Sequence, residues 1–304
     1  MKKSGGHILL DRQLIYEFIV SHSMVFPVEI MCKVLGVSSS SYYEWKSGRI
    51  SKRKEALQRD TGLILDIYNK SKRRYGSHKI KAQLGRIGVS TSRNRVARIM
   101  QSQGIKSCIC KSYKPQTTTS NHGKRVALNH LNREFTTGAP TKVWVSDLTY
   151  IPTDQGWLYL TTIMDLFDHS IVGWSMSKDM TAENTIMRAW NMAKTNRPPQ
   201  KGMLFHSDQG VQFVADVFQT DLKKYKVIQS MSRKGNCWDN AVAENFFKII
   251  KSELIDHKHY HSFSHAKSDI FDFIEVWYNK KRLHSVLGYR TPSEFMEEYI
   301  KNVA

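Results

Sequence analysis

The hydrophobic pattern near the start of the chain is helical, and glycines interrupt it. The segment PVEIMCKVLG begins at Pro27 and ends at Gly36, and SSSYYEWKSG follows Ser38 and stops at Gly48. Proline suits the first turn of a helix, serine suits its N-cap, and glycine suits the residue after its end. Two short helices joined by a tight glycine turn are typical of a helix-turn-helix.

A second pair of predicted helices has the same layout. In SHKIKAQLGRIG, apolar residues recur at helical spacing before Gly88, and Ser90 is then the expected cap of TSRNRVARIMQSQG. Ile80, Leu84 and Ile87 are at helical spacing in the first helix, and Val96, Ile99 and Met100 are predicted to face inward in the second. The outer face keeps Arg93, Arg95 and Arg98. These arginines either contact DNA in a groove or form a plain basic helical surface.

After residue 136 the pattern changes to runs that predict strands. TKVWVSDLTYIPT and GWLYLTTIMDL flank a turn at Asp154, Gln155 and Gly156, and HSIVGWSMS follows as a third strand. Two shorter strands, GMLFHSDQG and VIQSMS, alternate with predicted helices, of which TAENTIMRAWNMAKT is expected to be capped by Thr181. This order predicts the α/β class, as a mixed sheet with helices on its faces.

The same changes in pattern predict four regions. They are a helix-turn-helix-like region (1–60), a second helix-turn-helix DNA-binding domain (61–110), a basic Thr/Ser/Asn-rich linker (111–135) and the α/β domain (136–304).

Charge separates the two halves of this 304-residue chain, whose net charge is +19. Residues 1–135 hold 26 Lys and Arg against 8 Asp and Glu, whereas residues 136–304 hold 20 against 19. A domain-sized basic excess is typical of a protein that binds a polyanion, and we expect DNA. Apolar runs are too short for a membrane span or a signal peptide, and four cysteines are too few for a disulfide framework. The sequence therefore predicts a soluble cytoplasmic protein.

Three carboxylates stand at unusual places in the α/β region. Asp147 lies inside the first predicted strand, where aspartate is depleted, and Asp208 follows the end of the fourth. If these strands are neighbours, both carboxylates point to one place at the strand ends. Glu244 lies in the first turn of the helix DNAVAENFFKIIKSELI. Three converging carboxylates repel one another and require a cation such as Mg²⁺, although a single helix-start glutamate is also explained by the helix dipole.

The spacing of these residues resembles a known catalytic core. Thirty-five residues separate Asp208 from Glu244, as in the D,D(35)E core of retroviral-type integrases and transposases. Lys251 follows Glu244 by seven residues, or two helical turns, and Lys248 lies on the same face. A row of cations there is where a substrate phosphate would lie. The opposite face, with Phe246, Ile250 and Leu254, is expected to be core.

Longer motifs specify the resemblance. The segments WVSDLTYIPT, HSDQGVQF, SMSRKGNCWDNAVAENFF and YNKKRLHSVLGYRTPSEF resemble the OrfB-type transposase of the bacterial insertion-sequence family numbered three. The resemblance implies a ribonuclease H-like fold and a DDE-type polynucleotidyl transferase that cleaves and joins DNA strands with two Mg²⁺ or Mn²⁺ ions. It implies Asp147, Asp208 and Glu244 as metal ligands and no covalent protein–DNA intermediate.

Partners and alternatives follow from the same resemblance. The expected partners are the DNA ends of an insertion sequence, its target DNA and further copies of the chain assembled on DNA. In this family the product of an upstream reading frame often adds a coiled coil, and no long heptad appears here. Two other functions remain open on this fold: a structure-selective nuclease and a catalytically inert DNA-binding regulator.

Several further residues are candidates for supporting roles. His206 and Gln209 either orient Asp208, touch DNA or only pack locally, and Asn240 is a candidate cap of the Glu244 helix and a DNA contact. For Arg282 and His284, DNA contact competes with a structural role. Thr291, Pro292, Ser293 and Glu294 form a capping box. In HKHYHSFSH, a zinc site at His257, His259, His261 and His265 is disfavoured because no cysteine or acidic partner has suitable spacing.

Overall fold

The computed structural model describes residues 11–48, 52–109 and 126–303. The chain divides into two compact units, Met1–Asp66 and Ile67–Ala304. Most of the predicted linker, residues 111–125, lies outside the described residues.

The first unit contains a small helical core. Its helices are α1 (Arg12–His22), α2 (Val28–Val34) and α3 (Ser39–Lys46). Gly36, between α2 and α3, has a φ of +70°, which explains why the tight turn there contains glycine. Pro27 and Ser38 occupy the N-cap positions, although neither side chain makes a capping hydrogen bond. The buried residues are Tyr16, Ile19, Met31, Cys32 and Tyr42.

The second predicted helix pair is present as α5 (Ser77–Arg86) and α6 (Arg93–Ser102), which follow α4 (Lys52–Lys70). The expected cap at Ser90 is wrong: Ser92 is the N-cap, and its hydroxyl accepts the N–H of Arg95 at 3.1 Å. Ile87 does not continue the helical spacing into the core, because it follows the last turn of α5 and is 51% exposed. Ile80 and Leu84 are buried, as are the three side chains predicted to face inward, Val96, Ile99 and Met100.

A five-stranded mixed sheet forms the centre of the second unit. Its strands are β1 (Val143–Thr153), β2 (Gly156–Asp165), β3 (Ile171–Ser177), β4 (Leu204–Ser207) and β5 (Ile228–Met231). The spatial order is β3-β2-β1-β4-β5. The first three strands are antiparallel neighbours, whereas β4 pairs parallel to both β1 and β5. The predicted fold class, a mixed sheet with flanking helices after an all-α region, is confirmed.

Two helices and the sheet enclose an aromatic core. Helix α7 (Ile186–Asn196) packs on β3, and α8 (Asp216–Lys224) packs on β5. The side chains of Trp144, Trp190, Phe205 and Phe218 are fully buried between them. A Cβ atom at Gly173 would lie 2.2 Å from a carbonyl oxygen of α7, so this approach requires glycine. The N-cap of α7 is Thr185 instead of the predicted Thr181.

The remaining α-helices lie in the last third of the chain. They are α9 (Ala241–Glu253), α10 (Phe263–Phe271), which continues as a π-helix over Asp272–Tyr278, and α11 (Pro292–Val303). Helix α9 packs against β1 and β2. Phe246, Ile250 and Leu254 are buried, which confirms the predicted core face. The capping box is also confirmed, because the Thr291 hydroxyl accepts the Glu294 N–H and the Glu294 carboxylate accepts the Thr291 N–H.

A buried ionic cluster joins residues 72–86 to the C-terminal part of the second unit. The Glu253 carboxylate accepts hydrogen bonds from the Arg282 guanidinium at 2.9 and 3.0 Å and from the Trp277 indole at 3.1 Å. Arg74 donates to the Glu253 carbonyl at 3.2 Å, and its guanidinium lies 4.7 Å from the Trp277 ring. The Tyr75 hydroxyl donates to the Lys281 carbonyl at 3.0 Å.

Exposed contacts extend this junction. Lys72 pairs with Asp272 at 3.0 Å, and Arg86 pairs with Glu294. Within the second unit, these contacts tie residues 72–86, which include α5, to the C-terminal helices. Among the described residues, no helix combines the length and the apolar character that a membrane span needs.

The buried ion pair predicts a large stability effect. Arg282→Met leaves the Glu253 carboxylate buried without its main partner, which costs about 3 kcal/mol of unfolding free energy. Lys258→Met is the matched control, because it removes an exposed pair with Asp269 and costs less than about 1 kcal/mol. Urea unfolding of the full chain measures both variants. Equal stability of the two variants would contradict the structural role of the cluster.

Candidate active site

Strand pairing places the two aspartates side by side. In the parallel register of β1 and β4, Trp144 is the partner of Phe205 and Val145 is the partner of His206. Two residues after Val145 is Asp147, within β1, and two residues after His206 is Asp208, the first residue past the end of β4, so the register puts the two aspartates at the same level. Neighbouring strands lie about 4.8 Å apart, which brings the two carboxylates close together.

Local backbone contacts orient both aspartates. The Leu148 N–H donates to the Asp147 carboxylate at 2.8 Å, and the Gly210 N–H donates to the Asp208 carboxylate at 2.9 Å. A Cβ atom at Gly210 would lie 2.6 Å from the Gln212 side chain and 3.0 Å from an Asp208 oxygen. Glycine at 210 therefore lets the chain turn closely around the Asp208 carboxylate.

The first turn of α9 carries the third carboxylate, Glu244, which is partly exposed. Burial raises the pKa of Asp147 well above its ordinary value, and the charges of Asp208 and Glu244 raise it further. Burial also raises the pKa of Glu244; the Lys248 ammonium opposes this shift and the Asp208 carboxylate adds to it. The three carboxylates therefore form one region of mutually unfavourable negative charge.

This donor set suits a hard divalent cation. Carboxylate oxygens are preferred ligands of Mg²⁺ and Mn²⁺, and a cation would relieve the repulsion that raises the two pKa values. Within the described residues, the oxygens of Asp147, Asp208 and Glu244 do not all lie within 4.8 Å of one another. One ion held by all three would therefore need them to draw closer.

The two lysines of α9 border the carboxylates. Lys248 is exposed and acts electrostatically on Glu244. Lys251 is partly buried, with its ammonium 5.7 Å from the centre of the Tyr150 ring of β1. Burial lowers the pKa of Lys251, and the Asp256 and Asp147 charges oppose this shift. Both cations lie on the carboxylate side of the helix, as the seven-residue spacing predicts.

Asn240 connects the start of α9 to β1. It occupies the N-cap position, but its side chain makes no capping hydrogen bond. Instead, its amide donates to the Ser146 carbonyl at 3.0 Å. The residue is 2% exposed, so the predicted cap bond and the predicted direct DNA contact are both wrong for this structure. Asn240 holds the helix of Glu244 against the strand of Asp147.

A buried carboxylate organises the loop before α9, and the sequence did not identify its role. Asp239 accepts hydrogen bonds from the Arg233 guanidinium at 2.8 Å, the Arg133 guanidinium at 2.8 Å and the Asn129 amide at 3.0 Å. The hydrogen bonds from Arg233 hold the pKa of Asp239 far below its ordinary value, with burial acting in the opposite direction. The motif SRKGNCWDN indicates a polar loop, but Arg133 lies 106 residues away in sequence.

Two other predicted DNA contacts are buried. Arg282 is 7% exposed and bonds to Glu253, and His284 is 5% exposed. Burial, followed by the Arg282 and Lys79 charges, lowers the pKa of His284 far below its ordinary value, so the imidazole is neutral. Direct DNA contact is therefore wrong for both residues, and the structural alternative holds.

His206 and Gln209 pack around the end of β4. The His206 ring nitrogens lie 2.8 Å from the Ser230 hydroxyl and 3.2 Å from the Ser232 hydroxyl, and the ring is fully buried. Gln209 donates to the Ser232 carbonyl at 2.9 Å. Both residues tie the strand that precedes Asp208 to the neighbouring β5 segment.

The predicted arginines of α6 remain at the surface. Arg93 and Arg98 are exposed and Arg95 is partly exposed, whereas the apolar side of the helix is buried. Their placement is compatible with contact to a polyanion.

Comparison with known proteins gives matches over most of the chain. Two family models, both described as integrase core domain, match residues 138–237 and 225–292, and a model described as HTH-like domain matches residues 54–113. A 31 kDa protein of insertion element IS600 from Shigella sonnei is 38% identical over 88% of this chain and 98% of its own length. Transposase InsF for insertion sequence IS3A from Escherichia coli is 35% identical over 92% of this chain and 97% of its own length.

Solved structures give a more distant match. The HTLV-2 integrase catalytic core domain in complex with magnesium is 18% identical, with a TM-score of 0.39, over 52% of this chain and 97% of that chain.

The buried His206 predicts a specific pH dependence of stability. Burial lowers the pKa of His206 from 6.5 to about 4, while Asp239 opposes the shift. The unfolded chain therefore binds a proton more readily, so the stabilising contribution is complete above pH 6.5 and is lost as the pH falls toward 4. Between pH 7 and pH 5 we expect a loss of about 2 kcal/mol from this group.

Urea unfolding at the two pH values measures this loss in the wild type and in His206→Gln. The variant should lose about 2 kcal/mol less than the wild type on acidification. His257→Gln, at an exposed histidine, is the matched control and should keep the wild-type difference. An unchanged pH dependence in His206→Gln would show that His206 is not the group responsible.

Proposed function

The chain belongs to the IS3 family of transposases and is a DDE-type polynucleotidyl transferase, and we propose that it cleaves and joins DNA strands at the ends of an insertion sequence. The observation that carries the proposal is the register of β1 and β4, which sets Asp147 beside Asp208. The Asp208 charge raises the pKa values of both Asp147 and Glu244, and the Glu244 charge raises that of Asp147, which supports a shared site.

We assign Asp147, Asp208 and Glu244 as ligands of two Mg²⁺ or Mn²⁺ ions. When bound, such ions supply the positive charge and Lewis acidity that phosphodiester cleavage and strand transfer require. The donor set supports this assignment, because all three groups are carboxylates and two have pKa values raised by burial and by like charge.

The protein side chains around the carboxylates position them and bind the substrate. Lys248 and Lys251 supply cations for a DNA phosphate on the carboxylate side of α9. Asn240 fixes the start of α9 against β1, and the Arg233–Asp239 pair fixes the loop that leads into it. Neither Asn240 nor Asp239 contacts the reacting atoms in this assignment. Each acts through the position of Glu244.

DNA recognition is assigned to the helix pair α5–α6. The HTH-like family match, the basic excess of residues 1–135 and the exposed Arg93 and Arg98 support this assignment. We also assign further copies of the chain, assembled on the DNA ends of the element, as partners. We also include the upstream-frame product of the same element as a partner, and the bacterial cytoplasm, at the nucleoid, as the place of action.

Asp208→Asn tests the proposed catalytic site. Replacing a carboxylate ligand with an amide should reduce strand cleavage and strand transfer with Mg²⁺ by roughly a thousandfold, equivalent to about 4 kcal/mol of transition-state stabilisation. Oligonucleotides that carry the ends of the element serve as substrates, and gel analysis separates cut from joined products. Asp216→Asn, at an exposed aspartate in the first turn of α8, is the matched control and should keep full activity.

The same assay separates the alternative functions. A wild-type chain that cuts without joining is a nuclease. One that binds DNA but neither cuts nor joins is a regulator. Equal joining by Asp208→Asn and the wild type would refute the carboxylate assignment.

The salt dependence of DNA binding tests the recognition surface. Removing one side chain that binds a phosphate should reduce the slope of log affinity against log salt by roughly one. We expect the full-chain Arg93→Gln/Arg98→Gln variant to bind DNA more weakly and with a shallower slope. Lys201→Gln, at an exposed lysine before β4, removes charge elsewhere and should leave the slope unchanged. Fluorescence anisotropy with labelled DNA measures the slopes, and equal slopes in the three proteins would exclude α6 as a phosphate-binding element.

A further inference from the structure

A cluster of two histidines and an aspartate lies outside the candidate active site. Asp154 is in the turn between β1 and β2, and His259 and His261 follow α9. The distance from Asp154 Oδ1 to His259 Nε2 is 2.9 Å, and that from Asp154 Oδ2 to His261 Nδ1 is 2.8 Å. Each residue offers one ligand atom, and these three atoms all lie within 4.8 Å of one another. Within the described residues, this is the group that meets that spacing.

The prediction that no acidic partner is suitably placed for the histidine-rich segment is therefore wrong. The partner is not found by spacing within the segment, because Asp154 precedes His261 by 107 residues. The β1–β2 hairpin brings the aspartate to the histidines. His257 and His265 belong to other contacts, with the Ser252 carbonyl and with Asp269.

The backbone holds the two sides of the cluster together. The Asp154 N–H donates to the Tyr260 carbonyl at 2.9 Å, and the Phe263 N–H donates to the Gln155 side chain at 3.0 Å. Tyr260 lies between the two histidines in sequence and is 2% exposed, so its ring anchors the segment in the core. The ligand atoms are thus carried by a turn and a segment whose relative position is already fixed.

From this arrangement we infer that Asp154, His259 and His261 form a binding site for a divalent transition metal ion of the zinc class. Two neutral imidazoles and one carboxylate are a common ligand set for Zn²⁺, which binds them at about 2.0–2.2 Å. Imidazole also favours such ions over Mg²⁺, which prefers oxygen ligands. The three side chains are 47%, 70% and 75% exposed, so an ion can reach them from solvent and keep water in its remaining positions.

The inferred site is separate from the carboxylates of the candidate active site. Asp154, in the turn after β1, lies seven residues after Asp147. This number of residues spans roughly 23 Å in an extended chain. An ion there links the β1–β2 turn to the segment that leaves α9, so its effect is on the stability of that connection. The inference does not depend on the proposed DNA chemistry.

Metal titration of the untagged full chain tests this inference. After chelator treatment, Zn²⁺ is titrated by calorimetry, and Co²⁺ is titrated by its visible absorption. All solutions contain excess Mg²⁺ to saturate the carboxylate site. We expect saturable binding of one ion per chain at this site and an increase in the thermal unfolding midpoint with Zn²⁺.

Variants distinguish a site from scattered surface binding. His259→Ala, His261→Ala and Asp154→Asn should each weaken binding by about tenfold or more and remove the thermal shift. His257→Ala is the matched control, because it removes an exposed histidine of the same segment and should bind like the wild type. Binding that is absent in the wild type, or unchanged in the double variant His259→Ala/His261→Ala, would overturn the inference. In that case the aspartate only accepts hydrogen bonds from the histidines.

Discussion

The parallel pairing of β1 with β4 is the constraint on which the rest of the candidate site depends. These strands are far apart in sequence, and their register alone sets Asp147 and Asp208 at one level of the sheet. Burial and the Asp208 charge both raise the pKa of Asp147, so the surrounding structure must hold the two carboxylates against repulsion. It does so with backbone N–H donors beside each carboxylate and with a helix held to β1 by Asn240.

Much of this arrangement could be predicted from sequence, because its signals are local or follow a fixed spacing. Strand periodicity, the capping box at Thr291 and the apolar face of α9 are all carried by neighbouring residues. The failures share a physical cause. Arg282, His284 and Asn240 have polar side chains that looked available for DNA, but each is buried by elements distant in sequence. Polar residue type alone does not distinguish a side chain that binds a ligand from one paired inside the fold.

The cluster of Asp154, His259 and His261 and the hydrogen-bond network of Asp239 were missed in the sequence for the same reason. In both, a carboxylate meets at least one partner that lies more than 100 residues away in the chain. The sequence of one segment identifies some residues of such a cluster. The remaining residues can be identified only from the three-dimensional positions of the hairpins and loops. The requirement for glycine at position 210 is also hard to predict from sequence. It arises because a Cβ atom there would lie too close to the Asp208 and Gln212 side chains, and not from the φ angle of the residue.

The contacts between the α5–α6 region and the C-terminal helices have a mechanical consequence. Arg74, Tyr75 and Arg86 are bonded to residues around Glu253, Lys281 and Glu294, so the arginines of α6 and the carboxylates of the sheet belong to one compact unit. A DNA duplex bound by α6 would reach the carboxylates at a fixed number of base pairs from the place where α6 binds it. The distance between α6 and the carboxylates would then determine where a strand is cut. Lengthening or shortening the DNA between the sequence bound by α6 and the cleavage position should displace the cut by the same number of nucleotides or abolish it.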